Sequence, residues 1–277
     1  MARKKFSLFI LSSLFILLPI TALGYQWPVS PFNSQHPINA TLGEYRTSTR
    51  FHGGVDIGKP EGTKVYPVVS GKVKVVVPTG KNSYVKVKVG EKEYDYVHIN
   101  PLVKEEDDVI AGVTVLGTIN SENHLHFEED NGAVNPLRSG GLTPFTDKGD
   151  PEIEKIEVVK DGTPGTGEPF PKDKDGIPIV SGKVDIKAWA YDPRINADGS
   201  AGGKGVGIYK IGYEIRKEDG TLIEGPIHRI QFDTISGYEV SWVYVPGSSY
   251  DPVNFIYWAT NNPSSNGYWD TMSLGRV

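Results

Sequence analysis

Four of the six histidines in this 277-residue chain fall in three short segments: Phe51-His52-Gly53-Gly54-Val55-Asp56, Tyr96-Val97-His98-Ile99 and His124-Leu125-His126-Phe127. Imidazole is both a metal ligand and the side chain that exchanges protons near neutral pH. With histidine scarce elsewhere, the clustering reads as one metal site with its acid/base partners. In His124-Leu125-His126-Phe127 the histidines are two apart, so on a strand both project from one face while Leu125 and Phe127 point into the core. Two surface histidines on a solvated strand are the plain alternative. His52 and Asp56 are four apart, but Gly53-Gly54 disfavours a helix, because each glycine costs about 1 kcal/mol relative to alanine. A glycine turn leading into a strand would instead bring one nitrogen and one carboxylate oxygen together. Two histidines and one aspartate make a zinc set with an open fourth position, as in catalytic sites; a structural site would want four ligands, usually with cysteine.

The elements that must position these residues are β-strands. From Phe51 to about Pro136 the chain runs in short apolar stretches cut by glycine: Lys64–Val69, Lys72–Val77, Tyr84–Val89, Glu93–Ile99 and Val113–Leu116. No long 3.6-residue periodicity interrupts them, which predicts a mainly all-β chain with a glycine-rich antiparallel sheet. After the polar stretch Thr143–Asp150 a second series of alternating strands begins. Val184, Ile186, Ala188 and Ala190 share one strand face, Ile211, Tyr213 and Ile215 repeat the pattern, and Asp219-Gly220 is a hairpin turn. The domains expected are a signal peptide at 1–24, a glycine-rich sheet domain at 25–148 and an immunoglobulin-like β-sandwich at 149–277.

Arg3, Lys4 and Lys5 precede an apolar run from Phe6 to Ile20, and Ala22-Leu23-Gly24 is a small-x-small cleavage site. This predicts a secreted or cell-envelope protein, periplasmic or on the cell surface, starting near Tyr25. A retained anchor is the alternative, but the run is short for a span of about 20 residues. Loss of the three basic residues takes the formal net charge from -5 to -8. That argues against a nucleic-acid partner, since no basic stripe is present to neutralise phosphates. Cysteine is absent, so disulfides, an N-terminal lipid on cysteine and thiolate ligands are excluded. Any metal must be held by histidine and carboxylate.

Phe51-His52-Gly53-Gly54-Val55-Asp56-Ile57-Gly58, with Gly62–Val68 and Gly71-Lys72-Val73 after it, resembles the core of the lysostaphin/LytM-type zinc endopeptidases. Tyr96-Val97-His98-Ile99 is similar to that family's Tyr-x-His-Leu segment. His124–Glu128, followed by Val134-Asn135-Pro136, is similar to its His-Leu-His-Phe-Glu strand. The likeness covers roughly residues 26 to 138 and extends to Trp27-Pro28-Val29, Gly43 and Arg46. It implies His52, Asp56 and His126 as ligands of one Zn2+ per chain, with His98 and His124 as the catalytic pair. It further implies hydrolysis of peptidoglycan cross-bridge or stem peptides by metal-activated water. Tyr96 would share a strand face with His98 as an oxyanion donor, or else be a packed aromatic, and Glu128 is a candidate partner of His126. The chain departs from the family at Asn120-Ser121-Glu122-Asn123, where Ser-Thr-Gly-Pro is usual, and at Gly43-Glu44-Tyr45-Arg46, one residue longer than Gly-x-Arg. Both departures are expected at the substrate groove.

The rival readings are a catalytically inactive cell-wall regulator and an envelope-binding protein on the same fold. Both must explain why all five site positions are filled. The C-terminal domain is expected to associate with the envelope, with Trp189, Trp242, Trp258 and Trp269 as a binding platform or as core. Asp192, Asn196 and Asp198 with the glycines to Gly205 resemble a calcium loop in composition. Their spacing fits no standard loop, and a mobile inter-strand loop is the simpler expectation. Asn39-Ala40-Thr41 is a glycosylation sequon, and His36 and His228 are ordinary residues.

Overall fold

The computed structural model describes residues 24–162 and 167–271. The signal-like segment falls almost wholly outside these residues. Antiparallel strands dominate, as the short apolar runs predict, and the helix Val240–Val243 is a single turn. None of the described helices is long and apolar enough to cross a membrane.

A sheet of twelve strands carries the site. Along its main path Asp108–Val109, Gly71–Val77, Tyr84–Val89, Lys92–Val97, His124–Glu129, Val55–Gly58, Ile38–Ala40, Lys183–Ile195 and Glu152–Lys160 lie side by side. Under this sheet Trp27, Ile57, Val85, Tyr96, Leu125 and Phe127 pack with no exposure. Burying each such side chain contributes about 1.5–3 kcal/mol, and alternation along His124–Glu129 leaves the histidines on the opposite, open face. The fixed inward residues therefore set the outward ones.

The sheet does not stop where the polar stretch at 143–150 begins. Ile38 pairs with Ile195, so the long strand Lys183–Ile195 extends the same sheet into the C-terminal half. There it also pairs with Glu152–Lys160, Ile256–Trp258 and Trp269–Asp270. The hairpin Lys210–Arg216 and Leu222–Gln231 closes over it, with Ile186, Tyr213, Ile211, Ile215 and Ile227 between the layers. A further aromatic core joins Phe51 to Phe232, Tyr244, Phe255 and Tyr257.

One expectation needs correction. The glycine-rich run Ala201–Val206 is a strand paired with Lys183–Ile195, not a mobile loop. Backbone pairing needs no large side chain, so side-chain pattern alone misses such a strand. Asn196 and Asp198 are used within the turn before it, where Asn196 donates to Ser200 Oγ at 3.1 Å and Asp198 accepts from the Ser200 N–H at 3.0 Å. No calcium loop forms there. The four tryptophans make no exposed platform: Trp258 is buried and Trp189, Trp242 and Trp269 are half-buried.

Candidate metal centre

The register of two neighbouring strands builds the centre. His126 lies directly opposite Asp56 and His124 opposite Gly58 across the antiparallel pair. Opposed residues have Cβ atoms about 4.5–5.5 Å apart, so His126 and Asp56 meet by register. His52 enters from the turn before Val55–Gly58. Gly54 permits that turn, because a Cβ there would stand 2.3 Å from the Phe127 carbonyl oxygen.

Three ligand atoms converge. His52 Nε2 is 2.9 Å from His126 Nδ1 and 3.2 Å from Asp56 Oδ1, and His126 Nδ1 is 2.8 Å from the same oxygen. Among the described residues this is the one set of three histidine or carboxylate groups with ligand atoms within 4.8 Å of one another. The far nitrogens are committed: His52 Nδ1 lies 2.8 Å from the Thr41 carbonyl and His126 Nε2 lies 2.7 Å from Glu128 Oε1. A carbonyl only accepts, so Nδ1 of His52 carries the proton and its Nε2 presents a lone pair. In the same way Glu128 holds the His126 proton at Nε2. Two lone pairs and a carboxylate oxygen then face one point, an arrangement that calls for a cation there.

The electrostatics agree. Burial works against charge at His126, but hydrogen bonds to Asp56 and Glu128, with their negative charge, outweigh it and raise its pKa to about 9. Burial likewise opposes ionisation of Asp56, and His52 and His126 overcome it, holding the carboxyl well below its usual range.

His98 and His124 stand beside this centre with ring centroids 4.6 Å apart. His98 Nδ1 is bonded to the Lys81 carbonyl at 2.7 Å and His124 Nδ1 to the Glu122 carbonyl at 2.8 Å. Each therefore leaves Nε2 for the cleft. Burial, before any other effect, lowers the His98 pKa and favours the neutral, proton-accepting ring. His98 has φ +62°, a left-handed conformation that costs a non-glycine residue roughly 1–2 kcal/mol. That reversal breaks the strand alternation. Tyr96 consequently does not share a face with His98; it is fully buried, and its hydroxyl accepts from the Val68 N–H at 2.9 Å.

A cleft of about 600 Å³ surrounds these five residues. Both segments where the chain departs from the family pattern border it, through Glu44, Arg46 and Glu122. The Asn120–Asn123 segment also orients the histidines. Asn120 Nδ2 donates to the Lys81 carbonyl at 3.0 Å and its N–H to the His98 carbonyl at 2.9 Å. Arg194, Tyr250 and Val253 complete one wall from the C-terminal half. Arg46 lies between the two halves, bonded to Glu44 at 2.8 Å and 5.1 Å from the centre of the Tyr250 ring. Nothing in the local sequence around Arg194 or Tyr250 signals that role, which arises from strand pairing across more than 150 residues.

A glycine-gated strand turn, a His-x-His strand and an open-faced β-sheet define a histidine–carboxylate metallopeptidase class of site. Residues 50–136, about a third of the chain, match the model of peptidase family M23. Among solved structures, lysostaphin in solution is 20% identical, with 73% of this chain and 96% of that one covered at a TM-score of 0.35. A zinc-containing peptidase from Vibrio cholerae is 22% identical, with 43% of this chain and 40% of that one covered at a TM-score of 0.37. LytU is 24% identical, with 40% of this chain and 83% of that one covered at a TM-score of 0.31. The chain thus spans less than half of the Vibrio cholerae peptidase. Comparison with curated proteins returns no match.

Proposed function

We propose that the chain is an exported zinc endopeptidase that hydrolyses peptide bonds in peptidoglycan. His52, Asp56 and His126 would hold one zinc ion. The observation that carries this reading is the convergence of their three ligand atoms within 4.8 Å, each imidazole fixed from behind. Nitrogen and carboxylate ligands about 2.0–2.1 Å from a tetrahedral zinc stand roughly 3.3 Å from one another. The separations of 2.8 to 3.2 Å are close to that. Bound there, zinc supplies Lewis acidity toward the scissile carbonyl and an ionised water at neutral pH.

The chain's own groups do the rest. His98 and His124 are the proton carriers: a neutral Nε2 accepts a proton from the attacking water, and a charged one donates to the leaving amine or steadies the oxyanion. Their Nδ1 bonds to Lys81 and Glu122 hold both rings in the one tautomer that can do this. Residues 149–277 are an immunoglobulin-like second unit that supplies a wall of the cleft and contacts the envelope. The two-layer packing of its strands supports that assignment. Residues 1–24 direct export.

The test is metal content and wall digestion by the chain starting at Tyr25. Wild type should hold about one zinc and release new amino termini from peptidoglycan. His52→Ala should lose the metal and the activity together. His124→Ala should keep the metal and lose activity by about 10²–10⁴-fold, the usual contribution of general acid–base catalysis. Stoichiometric zinc with no new amino termini from any wall type would sink the proposal. Loss of zinc from His124→Ala but not His126→Ala would reverse the roles.

A further inference from the structure

One buried acid in the C-terminal half has no use in the metal centre. Asp192, on the strand Lys183–Ile195, is 9% exposed, and its Oδ1 is buried without a hydrogen-bond partner. A buried polar group is normally paired, and an ionised one needs a counter-charge. Asp192 instead has further acids beside it. If Gly149 carried a Cβ, Asp147 Oδ1 would lie 3.3 Å and Asp192 Oδ1 3.7 Å from it. Both oxygens overlook that bare backbone, and both residues line one cavity of about 290 Å³.

Asp147 Oδ1 accepts from the Gly149 N–H at 2.9 Å, whereas Asp192 Oδ1 is held in place with no partner. Gln35 clamps the acid-bearing segment, donating to the Thr146 carbonyl at 2.9 Å and accepting from the Thr146 N–H at 2.6 Å. Lys148 donates its N–H to the Gly199 carbonyl at 2.8 Å. The nearby cations are engaged elsewhere: Arg138 grips Glu129 through two bonds, and Lys148 Nζ donates to the Asp198 carbonyl at 2.6 Å. Left without a counter-ion, Asp192 has its carboxyl pushed up to about 7, first by burial and then by Asp147 and Asp150.

We propose that Asp192, Asp147 and Asp150 form a calcium site between the M23 domain and the strands that follow it. The donors are all carboxylate oxygens, which suit a hard cation and not zinc. These three acids do not come within 4.8 Å of one another as the catalytic set does. Calcium tolerates this, since it takes six to eight oxygens in flexible geometry and fills positions with water. The buried Asp192 is the direct ligand, and the exposed Asp147 and Asp150 close over the ion directly or through water. The ion would fasten the segment after the M23 domain to the strand Lys183–Ile195.

The experiment is calorimetric titration of calcium chloride into the zinc-loaded mature chain, with thermal unfolding at the same calcium levels. Wild type should bind one calcium with Kd about 10⁻⁴–10⁻³ M, the range of extracellular sites, and its unfolding midpoint should rise with calcium. Asp192→Asn should weaken binding at least tenfold. Asp147→Asn, at an exposed position that does not endanger folding, should also weaken it. Asp198→Asn should bind as wild type does, which separates this site from the turn at Asn196–Ser200. No binding up to about 10 mM calcium, or equal binding by folded Asp147→Asn and Asp192→Asn, would overturn the proposal and leave Asp192 as a buried neutral acid.

Discussion

Metal binding at the proposed zinc site must expel a proton from His126, and the structure says how strongly. In the metal-free protein Asp56 and Glu128 raise the His126 pKa to about 9 against the opposing effect of burial. At pH 7 about 99% of metal-free molecules then carry that proton, two pH units below its pKa. Each unit is worth about 1.4 kcal/mol, so zinc affinity at pH 7 should be roughly 100-fold below its plateau above pH 9. Competition titration against a calibrated chelator should show log affinity rising by about one per pH unit near pH 7 and by somewhat less toward pH 8.5. Calorimetry in two buffers of different ionisation enthalpy should count at least one released proton per zinc. Glu128→Gln removes one of the groups that hold the proton, so the plateau should begin at lower pH. The sign for stability follows. A raised histidine pKa stabilises the metal-free fold fully below about 6.5, and that contribution is lost as pH rises through about 9. Metal-free protein should therefore lose melting temperature between pH 7 and 9.5, a drop that zinc-loaded protein does not share. An affinity flat between pH 7 and 8.5 would refute the reasoning, because His126 would then already present an unprotonated Nδ1.

Glu129 has a fully buried side chain, gripped by Arg138 at 2.7 and 2.8 Å and by the Tyr25 hydroxyl at 2.5 Å. Arg138→Met should destabilise the chain by about 3–5 kcal/mol in denaturant titration, because it strands a buried charge; a loss below 1 kcal/mol would count against that pairing. His98→Gly should abolish most hydrolysis yet leave stability unchanged or up to about 1 kcal/mol higher, since glycine adopts φ +62° freely. Equal loss of stability and activity would show that the ring is a packing element. Tyr244→Phe should lower zinc affinity several-fold while costing about 1 kcal/mol of stability, measured by the same chelator competition and by melting.

The sequence pattern carries much of the geometry of the histidine cluster. His124 and His126 reach one face because Leu125 and Phe127 are apolar, and period-two alternation is a local property. Asp56 and His52 were placed by the glycine pair that a close backbone approach requires. What escaped was non-local or broke a local rule. Tyr96 and His98 violate alternation because His98 takes a left-handed conformation, which no residue type announces. The strand Ala201–Val206 is nearly all glycine on its exposed side and has no hydrophobic pattern to read. Arg194 and Tyr250 enter the cleft through a pairing of Ile38 with Ile195, and the sequence around either residue carries no trace of the other.

The C-terminal half also holds the turn that carries His52. The His52 backbone is held by two bonds, from Gly43 N–H to its carbonyl at 2.9 Å and from its N–H to the Glu44 carbonyl at 2.8 Å. Gly43 and Glu44 are in turn gripped from the C-terminal half. The Tyr244 hydroxyl donates to the Gly43 carbonyl at 2.9 Å, and the Gly207 N–H donates to Glu44 Oε1 at 3.1 Å. Phe232 lies so close that a Cβ on Gly43 would be 2.2 Å from its ring, and Gly43 has φ +88° as well. Phe51, next to His52, packs on the same Phe232 and Tyr244 rings. A ligand carried on a turn is only as well placed as the turn, and small misplacements in a metal site weaken it sharply. Three residues more than 150 positions away, Gly207, Phe232 and Tyr244, fix this turn. The C-terminal half is therefore a structural part of the His52 turn as well as a wall of the cleft, and the Tyr244 hydroxyl is the contact whose removal separates that role from gross folding.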